Sequence, residues 1–157
     1  LYDNYATDHC KWGMMMAKAL NRGFLSFTGW NLLLDETGGP NIGPFFCGGL
    51  ATRNTQTGEL SYSGQYRALR HFSGFIKKNA RIYPAKAAIQ GMNLSCFPHQ
   101  SLPTEVCAAE NPDGSFVLQI VNPDKNKVQL QYAFRGKRWY IEALPDSVST
   151  VVFEESN

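Results

Sequence analysis

The sequence predicts an α/β segment followed by an antiparallel β-sandwich. Two observations lead there. The apolar residues of the first half recur at helical spacing around one apolar strand, whereas those beyond residue 80 alternate with period two. Turn signals of the Asn-Pro-Asp type then punctuate the second half at short intervals. The change of period near residue 80 marks a domain boundary, giving segments 1–80 and 81–157.

In chain order, Trp12–Leu20 reads as a helix, rich in Met, Ala and Lys with no internal breaker. Asn21-Arg22-Gly23 ends it, with Gly23 available for a left-handed cap. Phe24–Trp30 reads as a strand apolar on both faces, as expected of a parallel strand covered on both sides. Residues 35–62 read as one long Gly-, Asn- and Thr-rich loop, and a loop of that length is usually functional. Ser63 is a plausible N-cap for a second helix, in which Tyr66, Leu69, Phe72 or Ser73, and Ile76 share one face. Lys77-Lys78 suit its C-terminal dipole.

The second segment carries strands at Phe116–Val121, Val128–Phe134, Arg138–Glu142 and Thr150–Phe153. Asn111-Pro112-Asp113-Gly114 and Asn122-Pro123-Asp124 supply turns. This pattern is that of a sandwich.

Composition narrows the function. The 157 residues are 43% hydrophobic and 13% aromatic, enough for a packed core. Fifteen basic and 13 acidic residues leave a net charge of +2, with no basic cluster to suggest nucleic acid. No apolar run reaches the roughly 18–20 residues of a membrane span, so no transmembrane segment is expected. The four cysteines form no CxxC pair and the three histidines are scattered, so neither a metal nor another cofactor is expected. Cys96 and Cys107 could bridge neighbouring strands or remain buried thiols. Asn93-Leu94-Ser95 is a glycosylation sequon, a triplet common by chance. The chain opens on Leu1-Tyr2-Asp3, which reads as mid-chain sequence. One apolar strand with two helices cannot close a core, so partner sequence is expected.

The richest run is Phe27-Thr28-Gly29-Trp30-Asn31-Leu32-Leu33-Leu34-Asp35-Glu36-Thr37-Gly38-Gly39-Pro40-Asn41. An apolar strand ends in Trp-Asn and opens into an acidic Gly-Gly-Pro loop. An indole there suits a sugar ring, because it buries the apolar C–H face while its N–H still donates. Asp35 and Glu36 are adjacent, and neighbours on an extended chain point apart, so they read as supports of the Gly-Gly turn and not as a catalytic pair. His71 reads as a helix residue packed on the sandwich, Met14-Met15-Met16 as core filling, and Cys47 as a thiol without a base. Lys77, Lys78 and Arg81 read as a solvated helix end.

This run resembles glycoside hydrolase family 30, the glucosylceramidase-like enzymes. Leu69-Arg70-His71-Phe72-Ser73-Gly74-Phe75-Ile76 resembles the family's last barrel helix, and Asn111-Pro112-Asp113-Gly114-Ser115 its sandwich hairpin. The resemblance implies the last strand and helices of a (β/α)8 TIM barrel followed by an antiparallel β-sandwich. It implies a retaining β-glycosidase, whose two glutamates stand roughly 5 Å apart, one attacking the anomeric carbon and one protonating the leaving oxygen. Both belong upstream of Leu1, so no catalytic residue is carried over and this segment alone is expected to be inactive. Trp30 matches the aromatic floor of the sugar subsite; Asn31 either touches sugar or orients the loop. The implied partners are a β-glycoside substrate, a glucosyl lipid or a β-glucan, and the missing N-terminal barrel segment. The sequence does not settle the compartment, with a secreted or lysosome-like one favoured. Gly29 stands where the best-known glucosylceramidases carry an acidic residue, Phe27 where they carry Trp, and Ile42 in place of an aromatic, which leaves the substrate open. The competing readings are a non-catalytic carbohydrate-binding sandwich and one chain of a split two-chain hydrolase.

Overall fold

A computed structural model describes residues 7–43, 46–85, 104–134 and 136–154. The elements run α1 (His9–Asn21), β1 (Leu33–Asp35), β2 (Ala51–Arg53), β3 (Leu60–Tyr62), α2 (Gly64–Phe75), β4 (Arg81–Tyr83), β5 (Glu105–Glu110), β6 (Phe116–Asn122), β7 (Val128–Phe134), β8 (Lys137–Ala143) and β9 (Ser147–Phe153).

The first helix begins one turn earlier than the sequence suggests and stops where expected. Phe24 N–H bonds to Ala19 O at 3.1 Å and Gly23 N–H to Leu20 O at 2.9 Å, a Schellman closure that the positive φ of Gly23 (83°) permits. Ser63 caps α2, its hydroxyl accepting Tyr66 N–H at 3.2 Å.

Strands β4-β5-β6-β9 form an antiparallel sheet in that order, and β7 and β8 form a second, two-stranded one. Period two sorts the residues of the central strands. Val106, Ala108, Leu118 and Ile120 pack with Leu130 and Ala143 between the two sheets. Their neighbours Cys107 and Val121 face the other way, where Met14, Met16, Ala17, Ala68 and Phe72 of α1 and α2 cover the sheet. The layers are therefore helix, sheet, sheet, and β5 and β6 are buried on both faces, as an unbroken apolar run requires. Residue 80 falls between α2 and β4, and the helix-side core joins residues from both sides of it.

Buried polar groups are tied off. Gln119, fully buried, donates to His71 O at 2.6 Å and accepts from the Thr150 hydroxyl at 2.7 Å. Asn122, also fully buried, donates to Asn126 O and Leu144 O, both at 2.9 Å, and accepts Asp124 N–H at 3.2 Å. That closes the Asn122-Pro123-Asp124 turn expected from sequence. The other expected turn closes through Gly114 N–H to Asn111 O at 2.9 Å. Lys77, expected to be merely solvated, pairs with Asp113 across that turn; this ammonium, then Ser115, holds the carboxyl well below the usual carboxylate range. His71 sits against the sheet as expected, Nδ1 2.8 Å from the Thr150 hydroxyl, and burial lowers its pKa, with Arg70 and His9 adding to the effect.

Three expectations change. Residues 24–30 do not form a strand. A strand needs a neighbour for its backbone groups, and among the described residues none lies beside this run; Leu25 is 98% exposed. The loop over 35–62 is not structureless, since β2 and β3 lie within it and form a small sheet with β1, which leads into it, β1 parallel and β3 antiparallel to β2. Met15 is exposed while Met14 and Met16 fill the core. The sequon at Asn93 and the Cys96 half of the possible bridge lie outside the described residues; Cys107 is a buried free thiol facing the helices, its pKa pushed up to about 12 by burial and then by Glu105.

Candidate functional site

The Trp-Asn run leads directly into β1. Asn31 O accepts Leu50 N–H at 3.0 Å and Leu32 O accepts Ala51 N–H at 3.1 Å, so the residues after Trp30 are zipped to the approach to β2. Gly49 makes this possible: a Cβ there would sit 3.1 Å from Ala51 O and 3.5 Å from Asn31 O. The Trp30–Asn31 peptide is cis. Trp30 itself is 81% exposed, while Asn31 is half-buried with its backbone in use.

The acidic pair behaves as loop structure. Asp35 Oδ1 accepts Thr37 N–H at 2.9 Å, the Thr37 hydroxyl at 2.6 Å and Gly39 N–H at 2.8 Å. Glu36 reaches across to Thr55, accepting its hydroxyl at 2.6 Å and its N–H at 2.8 Å. These donors, the hydroxyls of Thr37 and Thr55 foremost, hold both carboxyls below their ordinary pKa. A carboxylate so engaged is a poor proton carrier. Asn41 Nδ2 closes the Gly-Gly-Pro turn on Gly38 O at 2.7 Å. Gly38 has φ 79°, and a Cβ on it would lie 2.7 Å from the backbone of Cys47, which draws the next loop against this one. Trp30 and the Gly-Gly-Pro loop are thus joined through one braced unit.

A buried amide that sequence reading passed over stands beside it. Gln65, in the first turn of α2, is 2% exposed, and its Nε2 has no hydrogen-bond partner. A Cβ built on Gly29 would lie 2.0 Å from that nitrogen. Gln65 therefore occupies the room a side chain at position 29 would need. No sequence signal marks it, because Gln at a helix start ordinarily reads as solvated.

On the other side of residues 24–30 an apolar groove of about 560 Å3 runs between α1 and α2, lined in part by Met16, Leu20, Phe24, Phe27, Leu69 and Phe72. Phe27 meets Trp12 edge-on, centroids 6.3 Å apart. Phe24, Leu25, Leu32 and Leu33 remain exposed along the same stretch.

No family model matches the sequence, and no curated protein matches it. Among solved structures it is similar to SrfJ from Salmonella typhimurium, with TM-score 0.77 and 23% identity over 94% of this chain and 31% of that one. It is also similar to the endo-β1,6-glucanase BT3312, with TM-score 0.65 and 20% identity over 81% of this chain and 26% of that one. The chain thus spans less than a third of either structure's length, and what it has in common with them is the fold of that part.

Proposed function

We propose that this chain is the C-terminal segment of a retaining β-glycosidase of the family 30, glucosylceramidase-like type, acting on β-linked glucosides. The observation that carries the reading is Trp30: a large indole left 81% exposed at the edge of a loop whose acidic pair, Asp35 and Glu36, is tied down. Three collinear sequence resemblances support it, as does the likeness of fold to a chain described as an endo-β1,6-glucanase. In this reading residues 1–80 complete a TIM barrel and residues 81–157 form its sandwich. The exposed run 24–33 and the groove beneath it receive the remaining barrel strands.

Trp30 stacks on the sugar ring, and Asn31, its backbone already committed, orients the loop. Both glutamates of the double displacement come from the upstream polypeptide, roughly 5 Å apart. The substrate is a glucosyl lipid or a β-glucan.

The test is Trp30→Ala in the complete enzyme. Burying one face of an indole is worth ~1.5–3 kcal/mol, so kcat/KM should fall ~10–100-fold with an unchanged melting temperature, since the ring packs on little else. An unchanged rate removes Trp30 from the subsite. The isolated chain should not turn over an aryl β-glucoside; turnover would mean that the catalytic carboxylates lie within it. Tight β-glucan binding by the isolated chain, with no enzymatic long form in its source, would favour the binding-module reading.

A further inference from the structure

The first turn of α1 meets two turns of the sandwich. His9 and Cys10 come from the helix, Asp146 from the β8–β9 turn, and one donor atom from each lies within 4.8 Å of the other two. We propose that His9, Cys10 and Asp146 form a binding site for a borderline-soft divalent cation of the zinc type, which fastens α1 to the sandwich.

The donor set is the first argument. Imidazole nitrogen, thiolate sulfur and carboxylate oxygen are the three ligand types zinc takes, and three protein ligands leave a fourth position for water. The spacing is the second. His9 Nε2 lies 3.7 Å from Asp146 Oδ1, close to the ~3.4 Å edge of a tetrahedron with ligands at ~2.1 Å. Access is the third: Cys10 is buried and His9 largely so, but the Asp146 side chain is 59% exposed, so an ion can enter from the turn. The turn is also shaped for it. Asp146 adopts φ 42°, rare for a residue with a side chain, and its N–H is anchored on Asp124 O at 2.9 Å.

Without metal the imidazole is only partly satisfied. His9 Nε2 lies 2.7 Å from Asp146 O, but its Nδ1 is buried with no hydrogen-bond partner. The Cys10 thiol makes a 3.5 Å contact to Asn122 O. On binding, the thiol proton of Cys10 leaves to solvent, and Nε2 gives up its bond to Asp146 O as its proton passes to Nδ1, freeing the sulfur and the Nε2 lone pair for the ion. The sequence hides this site, since its ligands are 136 and 137 positions apart.

The probe is Co2+ titrated under reducing conditions into the natural polypeptide, followed by the thiolate-to-cobalt charge-transfer band and by melting temperature. We expect a saturable band, its displacement by Zn2+, and a higher melting temperature with Zn2+. Cys10→Ser should abolish the band, Cys47→Ser should leave it, and Asp146→Asn, at an exposed turn where folding is safe, should weaken binding ~10-fold or more. A missing band with excess Co2+, a band that survives Cys10→Ser, or equal affinity in Asp146→Asn would each overturn the site.

Discussion

Gly29 and Gln65 compete for one volume, which makes a measurable coupling. In Gly29→Ala the new methyl would stand 2.0 Å from Gln65 Nε2, so the amide must retreat by about 1.4 Å to reach ordinary contact at 3.4 Å. Gln65 is only 2% exposed, so that retreat is a move to another rotamer among packed neighbours. Overpacking of this kind costs ~1–3 kcal/mol. Gln65→Ala removes the obstacle, and because Nε2 has no hydrogen-bond partner it loses no bond at that atom. The same glycine substitution in the Gln65→Ala background should then cost less than ~0.5 kcal/mol, a coupling of ~1–2 kcal/mol in a double-mutant cycle. Urea unfolding of the four proteins measures it. Equal costs for Gly29→Ala in both backgrounds would mean that the two sites do not share space. The coupling bears on the site, because an acidic side chain at position 29 and Gln65 in its present place exclude each other. A substitution to Asp at 29 should be accommodated only with a smaller residue at 65.

Removing the Ser63 hydroxyl in Ser63→Ala should destabilise the protein by ~1 kcal/mol, since its bond to Tyr66 N–H caps α2; a change within error in thermal unfolding would show that the cap is idle. Met16→Ala, at a side chain 2% exposed in the helix–sheet core, should cost ~2–5 kcal/mol by denaturant unfolding, and less than ~1 would mean that the layer is loosely packed. Burial lowers the pKa of His71 in the folded state, so its stabilising contribution is present above the unfolded value of ~6.5 and is lost as pH falls below it; His71→Gln should flatten the pH dependence of stability below that value, and an unchanged slope would assign that dependence elsewhere.

What could be read from sequence followed the strength of local signals. Strands β6 to β9 were legible because apolar, β-prone runs, continuous in β6 and alternating in β7, follow turns whose chemistry is local, such as Asn111 to Gly114. Strand β5 was not, since Glu-Val-Cys-Ala-Ala-Glu has weak β-propensity and gains its place by pairing six residues with β6. The three-residue strands β1 to β3 are too short for any period to show. Residues 24–30 carry a convincing apolar run, but a strand is a property of a pair, and the partner is not among the described residues. The loop-bracing role of Asp35 and Glu36 was legible from their adjacency. Gln65 was not, because its burial is decided by Gly29, some 36 positions away.

Buried polar groups are satisfied on the sandwich side and left open in the opening turns of the two helices. On the sandwich side, Asn111 bonds Phe75 O, the Ser115 hydroxyl and Lys77 N–H, all at 2.9 Å. Asn21 spans Val106 O at 2.7 Å and Ala85 O at 3.2 Å, tying the end of α1 to the strands. Gln119 and Asn122 are equally engaged. The unpartnered buried atoms among the described residues are Asp8 Oδ1, His9 Nδ1 and Gln65 Nε2, all in the opening turns of α1 and α2. Each such atom costs ~1–3 kcal/mol, and the exposed Phe24, Leu25, Leu32 and Leu33 add apolar surface that water disfavours. In a parallel barrel the opening turns of the helices and the ends of the strands share the catalytic face. A cation on His9 Nε2 leaves the Nδ1 deficit in place. Asp8, Gln65 and the apolar run are left for the upstream strands, which in the proposed enzyme would bring both the missing contacts and the catalytic glutamates to the rim that holds Trp30.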